Sequence, residues 1–442
     1  MARIALAIAR MALARPGPSR IGPRRRGLRP TVHGPGTGAA PGSGTGGRAP
    51  GAAPGPGTGG RGPGAAPASG TGGQGPGKAP GAGTGGRPSR IVALIPAHNE
   101  AERIAASIAA LRRQHRPPDR VVVVADNCTD ATADIALRAG AEVIVSEDNR
   151  HKKAGALNQA LDRALPGLSD EDLVLVQDAD TTLWPTFLSS ATEAMEGNAA
   201  AVGGVGAVGG IFYGEPGGGL LGALQRIEFH RYAREIARRD FRADVLTGTA
   251  TLFRVTTLRE VKEARLAGRI GGGASYYSLA SLTEDDEMTK AVRTLGYRTV
   301  SPPGCGVVTE VMTSIPKLWH QRLRWQRGAL ENLRDYGWTR VTAPYIVRQS
   351  FMGLSVVFLS LYLVFTAWML ARGRPQFSRF WMAIGMVFVA EKVVTARGAG
   401  RRAQILAGSL VVELAYDMFQ HAVYVRSLWD MARRREERWC AT

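Results

Sequence analysis

The stretch LVLVQDADTTLW, from Leu173 to Trp184, decides the fold of this chain. Its run of leucine and valine residues predicts a buried parallel strand, with Asp178 and Asp180 at the carboxyl end. Open α/β sheets bind their ligands at that edge. Because two carboxylates one residue apart repel each other, we expect a cation between them, and a divalent ion shared with diphosphate oxygens is the natural candidate. For this stretch alone, an acidic turn after a strand is the alternative.

The composition separates a basic tail from the rest of the chain. The 442 residues are enough for two or three domains, and the net charge is +19, of which residues 1–90 supply +13. This tail has no aromatic residue to stack on bases, so we expect a solvated segment and no nucleic-acid partner. The cysteines, Cys128, Cys305 and Cys440, lie far apart without metal-ligand spacing, which indicates a reducing compartment.

Residues 1–89 are predicted to be disordered. An approximate GTGGR-x-PGAAP unit repeats between Gly36 and Pro88, and glycine, proline and alanine bury too little apolar surface to offset chain entropy. The apolar run between Arg3 and Arg10 is too short for a signal peptide or a membrane span. A start codon assigned too far upstream would also explain this sequence. No catalytic role is assigned to it.

A βαβαβ pattern begins at Arg90. The predicted elements are a strand at 91–95 ended by Pro96, a loop at 97–100, a helix at about 101–114, a strand at 121–124, a helix around 131–139 and a strand at 142–145. Polar residues recur at the strand carboxyl ends, where a nucleotide would lie. His98 is either a catalytic base or an exposed loop residue. Lys153 lies at the start of the next helix. Its side chain either binds a diphosphate or is simply solvated at the helix terminus.

Seven motifs occur in one order along the chain: P-x-x-N-E at 96–100, D-N at 126–127, K-A-G-x-L-N at 153–158, D-A-D at 178–180, T-G-T-A at 247–250, T-E-D at 283–285 and Q-x-x-R-W at 321–325. In this order they resemble the family 2 glycosyltransferases of the GT-A fold, over roughly residues 90–338. The Q-x-x-R-W motif is similar to that of the membrane-embedded synthases of poly-N-acetylglucosamine, chitin, cellulose and hyaluronan. The resemblance implies an α/β fold, a Rossmann-like mixed sheet with helices on both faces, followed by amphipathic interface helices and a carboxyl-terminal transmembrane segment.

The resemblance also implies roles for single residues. Asp285 would be the general base, and Asp180 would bind Mg²⁺ or Mn²⁺. The nucleotide-sugar residues would be Pro96, Ala97, Glu100, Asp126, Lys153, Asp178, Gln321, Arg324 and Trp325. The acceptor-side residues would be Gly248, Thr249, Glu284 and Trp325. The acidic neighbours of Asp285 are expected to raise its pKa, which suits a base, although acids are also favoured at any helix amino terminus.

Two helices beside the catalytic domain are predicted to be amphipathic. Gln321, Arg324 and Trp325 stand at i, i+3 and i+4 and so share one face. The opposite arc, with Ile315, Trp319, Leu330 and Leu333, is suited to lying on a membrane. A further helix at 220–239 is either interfacial or an ordinary surface helix. The resulting domains are 90–312 for catalysis, 313–344 for the interface helix, 345–428 for the membrane segment and 429–442 for a basic tail.

The membrane segment is predicted to hold two or three helices, at 349–371, 380–396 and 405–425. In the last of these, Glu413, Asp417 and His421 share one face. Three interpretations of this face are open: the side chains line a glycan path, they pair with arginines, or they form the polar side of an interfacial helix. We expect a multi-pass protein of the cell membrane with its catalytic domain in the cytoplasm, where sugar nucleotides are. The arginines in every connecting loop leave the topology unsettled.

The sequence therefore predicts an inverting, metal-dependent transferase that moves an N-acetylglucosamine-type or glucose-type sugar from a UDP-sugar to a growing β-glycan. The alternative within the class is a non-processive enzyme with a lipid-linked or polyprenyl-phosphate acceptor. Membrane lipid is a further expected partner. A sugar nucleotidyltransferase would not need Q-x-x-R-W, and a silent scaffold would not keep the charged motifs.

Overall fold

The computed structural model describes residues 89–196, 203–373 and 379–433. The prediction for the basic amino-terminal tail therefore lies outside the described residues, apart from Ser89. So does most of the predicted carboxyl-terminal tail, with Cys440. Within the described residues, Cys128 and Cys305 are both free thiols, which agrees with the absence of a disulfide scaffold there.

The strands of the described chain are β1 (Ile91–Ala97), β2 (Arg120–Ala125), β3 (Glu142–Val145), β4 (Leu173–Gln177), β5 (Thr182–Leu183), β6 (Val205–Gly209), β7 (Ile211–Gly214), β8 (Ala250–Arg254), β9 (Arg298–Val300) and β10 (Gly306–Thr309). The α-helices are α1 (Ile104–Arg112), α2 (Thr132–Arg138), α3 (Lys152–Ala164), α4 (Phe187–Glu196), α5 (Gly219–Arg238), α6 (Val255–Leu266), α7 (Glu284–Thr294), α8 (Ile315–Tyr336), α9 (Ala343–Ala371), α10 (Arg379–Thr395), α11 (Arg401–Gly408) and α12 (Leu410–Ala432).

A seven-stranded mixed sheet forms the centre, in the order β3-β2-β1-β4-β8-β6-β9. Strands β1 to β4 run parallel, whereas β8 pairs antiparallel with both β4 and β6. Alternate residues of each strand enter two separate cores, because successive side chains of a strand point to opposite faces. Val174 and Val176 pack with α3, α6 and α7, while Leu173 and Leu175 pack with α1 and α4. The predicted mixed sheet with helices on both faces is thus confirmed.

The predicted end of β1 is wrong. Pro96 does not stop the strand: it remains buried in β1, in parallel register with Val124, and Ala97 is in register with Ala125. The loop begins only at His98, which is exposed. A small sheet, β5-β10-β7, lies next to this part of the fold, and its β5 follows directly on the Asp178–Asp180 turn.

The predicted helix at 405–425 is also wrong as a single element. The structure breaks it at Ser409, whose backbone is extended (φ −78°, ψ 94°), so that α11 and α12 are separate helices. Glu413 of α12 is buried and accepts hydrogen bonds from Arg231 of α5, while Asp417 pairs with Lys392 of α10. Of the alternatives for this acidic face, pairing with basic side chains is the one that the structure contains.

One helix of the described residues, α9, is long and apolar enough to cross a membrane by its length and composition. This helix has 29 residues. Its most apolar 18-residue segment has a mean hydropathy of 2.1, and only 6% of that segment is buried within the protein.

Helix α8 does not leave its predicted membrane face free. Leu330 and Leu333 are buried, and Trp319 packs edge-on against Phe419 of α12. Only Ile315 remains largely exposed on that arc. Helix α5 is covered in the same way. Its Ile227 packs with α11, and its Phe229 contacts Phe212 of β7. Both amphipathic helices therefore pack within the protein along most of their apolar surfaces.

Candidate functional site

The D-A-D turn after β4 carries one carboxylate with a cationic partner. Lys153 Nζ, at the start of α3, lies 2.5 Å from Asp178 Oδ1 and 3.3 Å from Glu284 Oε1. Burial raises the pKa of Asp178 to about 6 against the opposing charge of Lys153. Although burial lowers the pKa of Lys153, the Asp178 and Glu284 carboxylates raise it by more, so the lysine stays charged. Lys153 thus neutralises part of the negative charge that Asp178 and Glu284 bring to the cleft.

Asp180 lies in a second, more acidic part of the cleft. Its Oδ1 accepts a hydrogen bond from the Thr181 hydroxyl (3.1 Å), and burial raises its pKa above the ordinary value. Glu100, in the loop after β1, is close enough that burial and the charge of Asp180 together raise its pKa to about 7. Arg103 is held nearby by Glu215 (3.2 Å). This concentration of incompletely neutralised carboxylates attracts a cation.

A divalent ion fits this part of the cleft if substrate oxygens complete its shell. Within the described residues, no three histidine, cysteine or acidic side chains are grouped as a protein-only metal site. Mg²⁺ is commonly held by one or two carboxylates together with substrate phosphates and water. Asp180 and the neighbouring Asp178 provide two such carboxylates. Their pKa values are raised, so a bound cation would stabilise the charged form of both side chains.

The polar pocket around Asp126 is built from three loops at the strand ends. Asp126 Oδ1 accepts hydrogen bonds from Ser146 Oγ (2.6 Å), Asn149 Nδ2 (2.8 Å) and Asn127 Nδ2 (3.1 Å). Its backbone N–H donates to the carbonyl of Ala97 (2.9 Å). Asp126 and Ala97 are therefore brought together as predicted. Glu100, predicted with Asp126 among the nucleotide-sugar residues, lies within electrostatic reach of Asp180 and Asp178.

The loop before β8 brings the T-G-T-A motif against the acids. The Gly248 N–H donates to Asp285 Oδ2 (2.9 Å), and its carbonyl accepts from Lys153 Nζ (3.2 Å). A Cβ on Gly248 would lie 3.0 Å from Lys153 Nζ and 3.3 Å from Asp285 Oδ2, so a glycine permits this approach. Thr249 joins the loop to the D-A-D turn, because its carbonyl accepts from the N–H of Asp178 (3.0 Å).

Asp285 of the T-E-D motif faces the cleft, beside Glu284, which lines the same cavity. Burial, and then the charge of Glu284, raise its pKa to about 6. The acids that follow it turn away: Asp286 pairs with Lys290 and accepts from Asn332, and Glu287 pairs with Arg265 (2.5 Å). Two carboxylates of this acidic helix start therefore remain at the cleft: Glu284, which pairs with Lys153, and Asp285, whose raised pKa suits it to accept a proton near neutral pH.

Helix α8 carries Gln321, Arg324 and Trp325 within a single continuous helix, so their predicted common face follows from its geometry. One turn later, a Cβ on Gly328 would meet Thr283 Oγ1 at 2.5 Å. Asn332 Nδ2 donates to Thr283 Oγ1 (3.1 Å) and Asp286 Oδ2 (2.8 Å). The Q-x-x-R-W helix is thus fastened to the start of α7, beside Asp285.

Several residues of the site were not predicted from the sequence. Asn149 orders the Asp126 pocket, and Tyr277 lines the small cavity that also holds Lys153, Gly248, Glu284 and Asp285. Tyr277 is fixed by two backbone hydrogen bonds to Asn158 of the K-A-G-x-L-N motif (2.8 and 2.9 Å). An asparagine just before a helix start was the available signal for Asn149, whereas nothing around Tyr277 indicates its place.

Comparison with known proteins shows a family match over part of the domain that carries this cleft. Residues 92–262 match the family described as glycosyl transferase family 2. The poly-β-1,6-N-acetyl-D-glucosamine synthase of Staphylococcus epidermidis is 25% identical over 256 residues, which are 56% of this chain and 56% of that protein. The Staphylococcus aureus (strain COL) synthase of the same name is 24% identical over 262 residues, 58% of each chain. The chain thus spans little more than half the length of these curated relatives.

A solved structure with a similar fold is the mannosyltransferase PcManGT from Pyrobaculum calidifontis in complex with GDP-mannose and Mn²⁺. It has a TM-score of 0.50 and 21% sequence identity, and the match covers 77% of this chain and 87% of that one. The likeness supports the GT-A-like mixed α/β fold.

Proposed function

We propose that the chain, an enzyme of glycosyltransferase family 2, moves a sugar from a UDP-sugar to a growing β-glycan by an inverting, metal-dependent displacement. The observation that carries this proposal is the convergence of Lys153, Asp178, Gly248 and Asp285 on one cleft at the strand carboxyl ends. The two relatives are synthases of poly-β-1,6-N-acetyl-D-glucosamine, which favours a sugar of the N-acetylglucosamine type. Glucose is the second candidate.

In the proposed reaction, an acceptor hydroxyl attacks the anomeric carbon while the bond to the diphosphate breaks. Asp285 takes the hydroxyl proton, and UDP leaves with the bonding electrons. The Gly248 N–H holds Asp285 Oδ2, which keeps the carboxylate directed into the cleft. The base lies on the acceptor side of the anomeric carbon, and the single displacement inverts its configuration.

The donor half of the cleft would bind the nucleotide diphosphate. The Asp126 pocket, with Pro96, Ala97 and Asn149, is suited to the uridine, and Lys153 supplies positive charge for the phosphates. Held at Asp180, Mg²⁺ or Mn²⁺ would neutralise charge on the leaving diphosphate. Glu100 borders the same acidic region and would assist in holding that cation.

The acceptor half would be formed by the Gly248–Thr249 loop, Glu284 and the Q-x-x-R-W helix. Trp325 is 36% exposed and offers a flat face to a sugar ring, while Gln321 and Arg324 offer donors to hydroxyl or phosphate oxygens. Glu284 is half-buried beside Lys153 and would contact the acceptor hydroxyls.

We further propose that the enzyme acts at the cytoplasmic face of the cell membrane, in a multi-pass arrangement. Helix α9 begins on the catalytic domain, where the Tyr345 hydroxyl donates to the carbonyl of Asp244, and it continues into its apolar window. A lipid-linked or polyprenyl-phosphate acceptor is the second candidate, favoured by an apolar groove between α9 and α12. This groove is lined by Leu359, Leu363, Val425 and Trp429, with Arg426 at hand for a phosphate.

The test is to incubate membranes that contain the full chain with radiolabelled UDP-N-acetylglucosamine, UDP-glucose and GDP-mannose in turn, with Mn²⁺ or Mg²⁺. The proposal predicts label from a UDP-sugar in a product that elutes early from a size-exclusion column, as a polymer does. A short product that partitions into organic solvent would select the lipid-linked acceptor. Label from GDP-mannose alone would contradict the UDP assignment.

A further inference from the structure

A buried arginine within the Q-x-x-R-W motif lies directly beneath its tryptophan. Arg322, which occupies the second position of the motif, is 4% exposed, and its guanidinium carbon lies 4.5 Å from the centre of the Trp325 ring. A planar guanidinium stacks on an aromatic face through both charge and shape, which a lysine ammonium does not reproduce. The orientation of the indole is therefore tied to the position of Arg322.

Arg322 is in turn held by a carboxylate of another helix. Its Nη2 donates to Glu228 Oε2 of α5 at 2.9 Å. The guanidinium also lies 5.6 Å from the Phe229 ring, next to Glu228 in α5. Arg322 is buried, whereas its partner Glu228 is partly exposed (35%), and a buried guanidinium has few alternative rotamers, so Arg322 cannot shift without losing this partner.

The carboxylate of Glu228 is itself fixed by the carboxyl-terminal helix. The Tyr416 hydroxyl donates to Glu228 Oε2 at 2.6 Å, and Gln420 Nε2 lies 3.4 Å from Glu228 Oε1. Both residues belong to α12, which packs along α8 through Trp319 and Phe419. One side chain of α5 thus links α12 to the helix that carries Trp325.

We propose that Glu228 and Arg322 are positioning residues that hold the Trp325 indole in place for the acceptor sugar, and that α12 fixes them through Tyr416 and Gln420. This inference rests on the proposed acceptor-side role of Trp325. Helix α12 would then affect acceptor binding without touching the acceptor. Donor binding at Lys153 and Asp178 does not depend on this chain of contacts.

The position of the indole can be measured without any activity. The full chain is labelled with 5-fluorotryptophan in lipid nanodiscs, and its Trp325 resonance is assigned with Trp325→Phe. Arg322→Lys and Glu228→Gln are expected to shift and broaden that resonance. Arg372→Lys is a matched control, since Arg372 stacks over Trp368 at 4.7 Å at the end of α9. It should leave the Trp325 resonance unchanged, and a Trp325 resonance unaltered in Arg322→Lys would overturn the proposal.

Kinetics separate positioning from a general structural role. With UDP-N-acetylglucosamine and a short β-1,6-linked N-acetylglucosamine oligosaccharide, Arg322→Lys should raise the acceptor KM by roughly three- to tenfold, the range expected for partial loss of a cation–π contact. Donor hydrolysis without acceptor should not change. Tyr416→Phe, which removes one hydrogen bond to Glu228 and keeps the Arg322–Glu228 pair, should give a smaller rise of the same kind.

Different results would refute the proposed function and the positioning role. If the wild-type chain transfers no sugar from any donor, the proposed function fails, and the fluorine resonance still tests the contact. If the wild-type chain transfers sugar but Arg322→Lys and Tyr416→Phe keep the wild-type acceptor KM, the positioning role is refuted. A loss of transfer and donor hydrolysis in equal proportion would also refute it, because that is the signature of a disturbed fold.

Discussion

Replacing Asp285 with asparagine removes the proposed base while keeping the shape of the cleft. An asparagine Oδ1 can still accept the hydrogen bond that the Gly248 N–H donates at 2.9 Å, so the loop before β8 should stay in place. General-base catalysis contributes about 10²- to 10⁴-fold to a rate, and we expect kcat to fall by that factor. Because Asp178 and Lys153 are untouched, the affinity for UDP should change by no more than about twofold, which is under half a kcal/mol.

The assay measures turnover of the radiolabelled UDP-sugar and, on the same preparation, UDP binding by calorimetry. Burial and the charge of Glu284 raise the pKa of Asp285 to about 6, and a base acts only when deprotonated. The wild-type rate should therefore fall by at least about tenfold per pH unit below pH 6, and the limb should be shallower in Asp285→Asn, where Asp178 and Glu100, with pKa values raised to about 6 and about 7, still titrate. Unaltered turnover in Asp285→Asn, or a wild-type limb near pH 4, would refute the assignment.

Three further changes test other parts of the cleft and its support. Asp180→Ala should abolish the gain in UDP affinity that Mn²⁺ produces in calorimetry, and an undiminished gain would count against the ligand role. Gly248→Ala should lower kcat roughly tenfold, because its Cβ crowds Lys153 Nζ at 3.0 Å, whereas Gly271→Ala, with open space around its Cβ, should not. Arg265→Met leaves a buried carboxylate of α7 unpaired and should lower the free energy of unfolding by about 3–5 kcal/mol, measured by urea denaturation; a loss under about 1 kcal/mol would contradict the buried pair.

Local sequence patterns were sufficient for the centre of the fold. The leucine and valine run of β4 and the polar residues at the strand ends follow from strand geometry, which sends alternate side chains to opposite faces. Pro96 was predicted to end β1, but a proline can remain in a strand where no hydrogen bond requires its missing N–H. The break at Ser409 follows Gly408, a signal that the overall hydropathy of 405–425 conceals.

The contacts within the site could not be read from the sequence, because they join residues far apart in the chain. Lys153 reaches Asp178 across a helix and a strand, and Gly248 reaches Asp285 across β8 and α6. The pairing of Glu228 with Tyr416 joins α5 to α12. Motif order placed these residues in one enzyme class, but only the packing of α8 between α7 and α12 shows which side chains meet.

The central claim is that sugar transfer in this cleft is a single displacement with Asp285 as the base. The most direct measurement is the anomeric configuration of the new linkage, followed by proton NMR from the first turnovers on an α-linked UDP-sugar. A single displacement predicts a β linkage in the initial product. An α linkage formed in the first turnovers would contradict it.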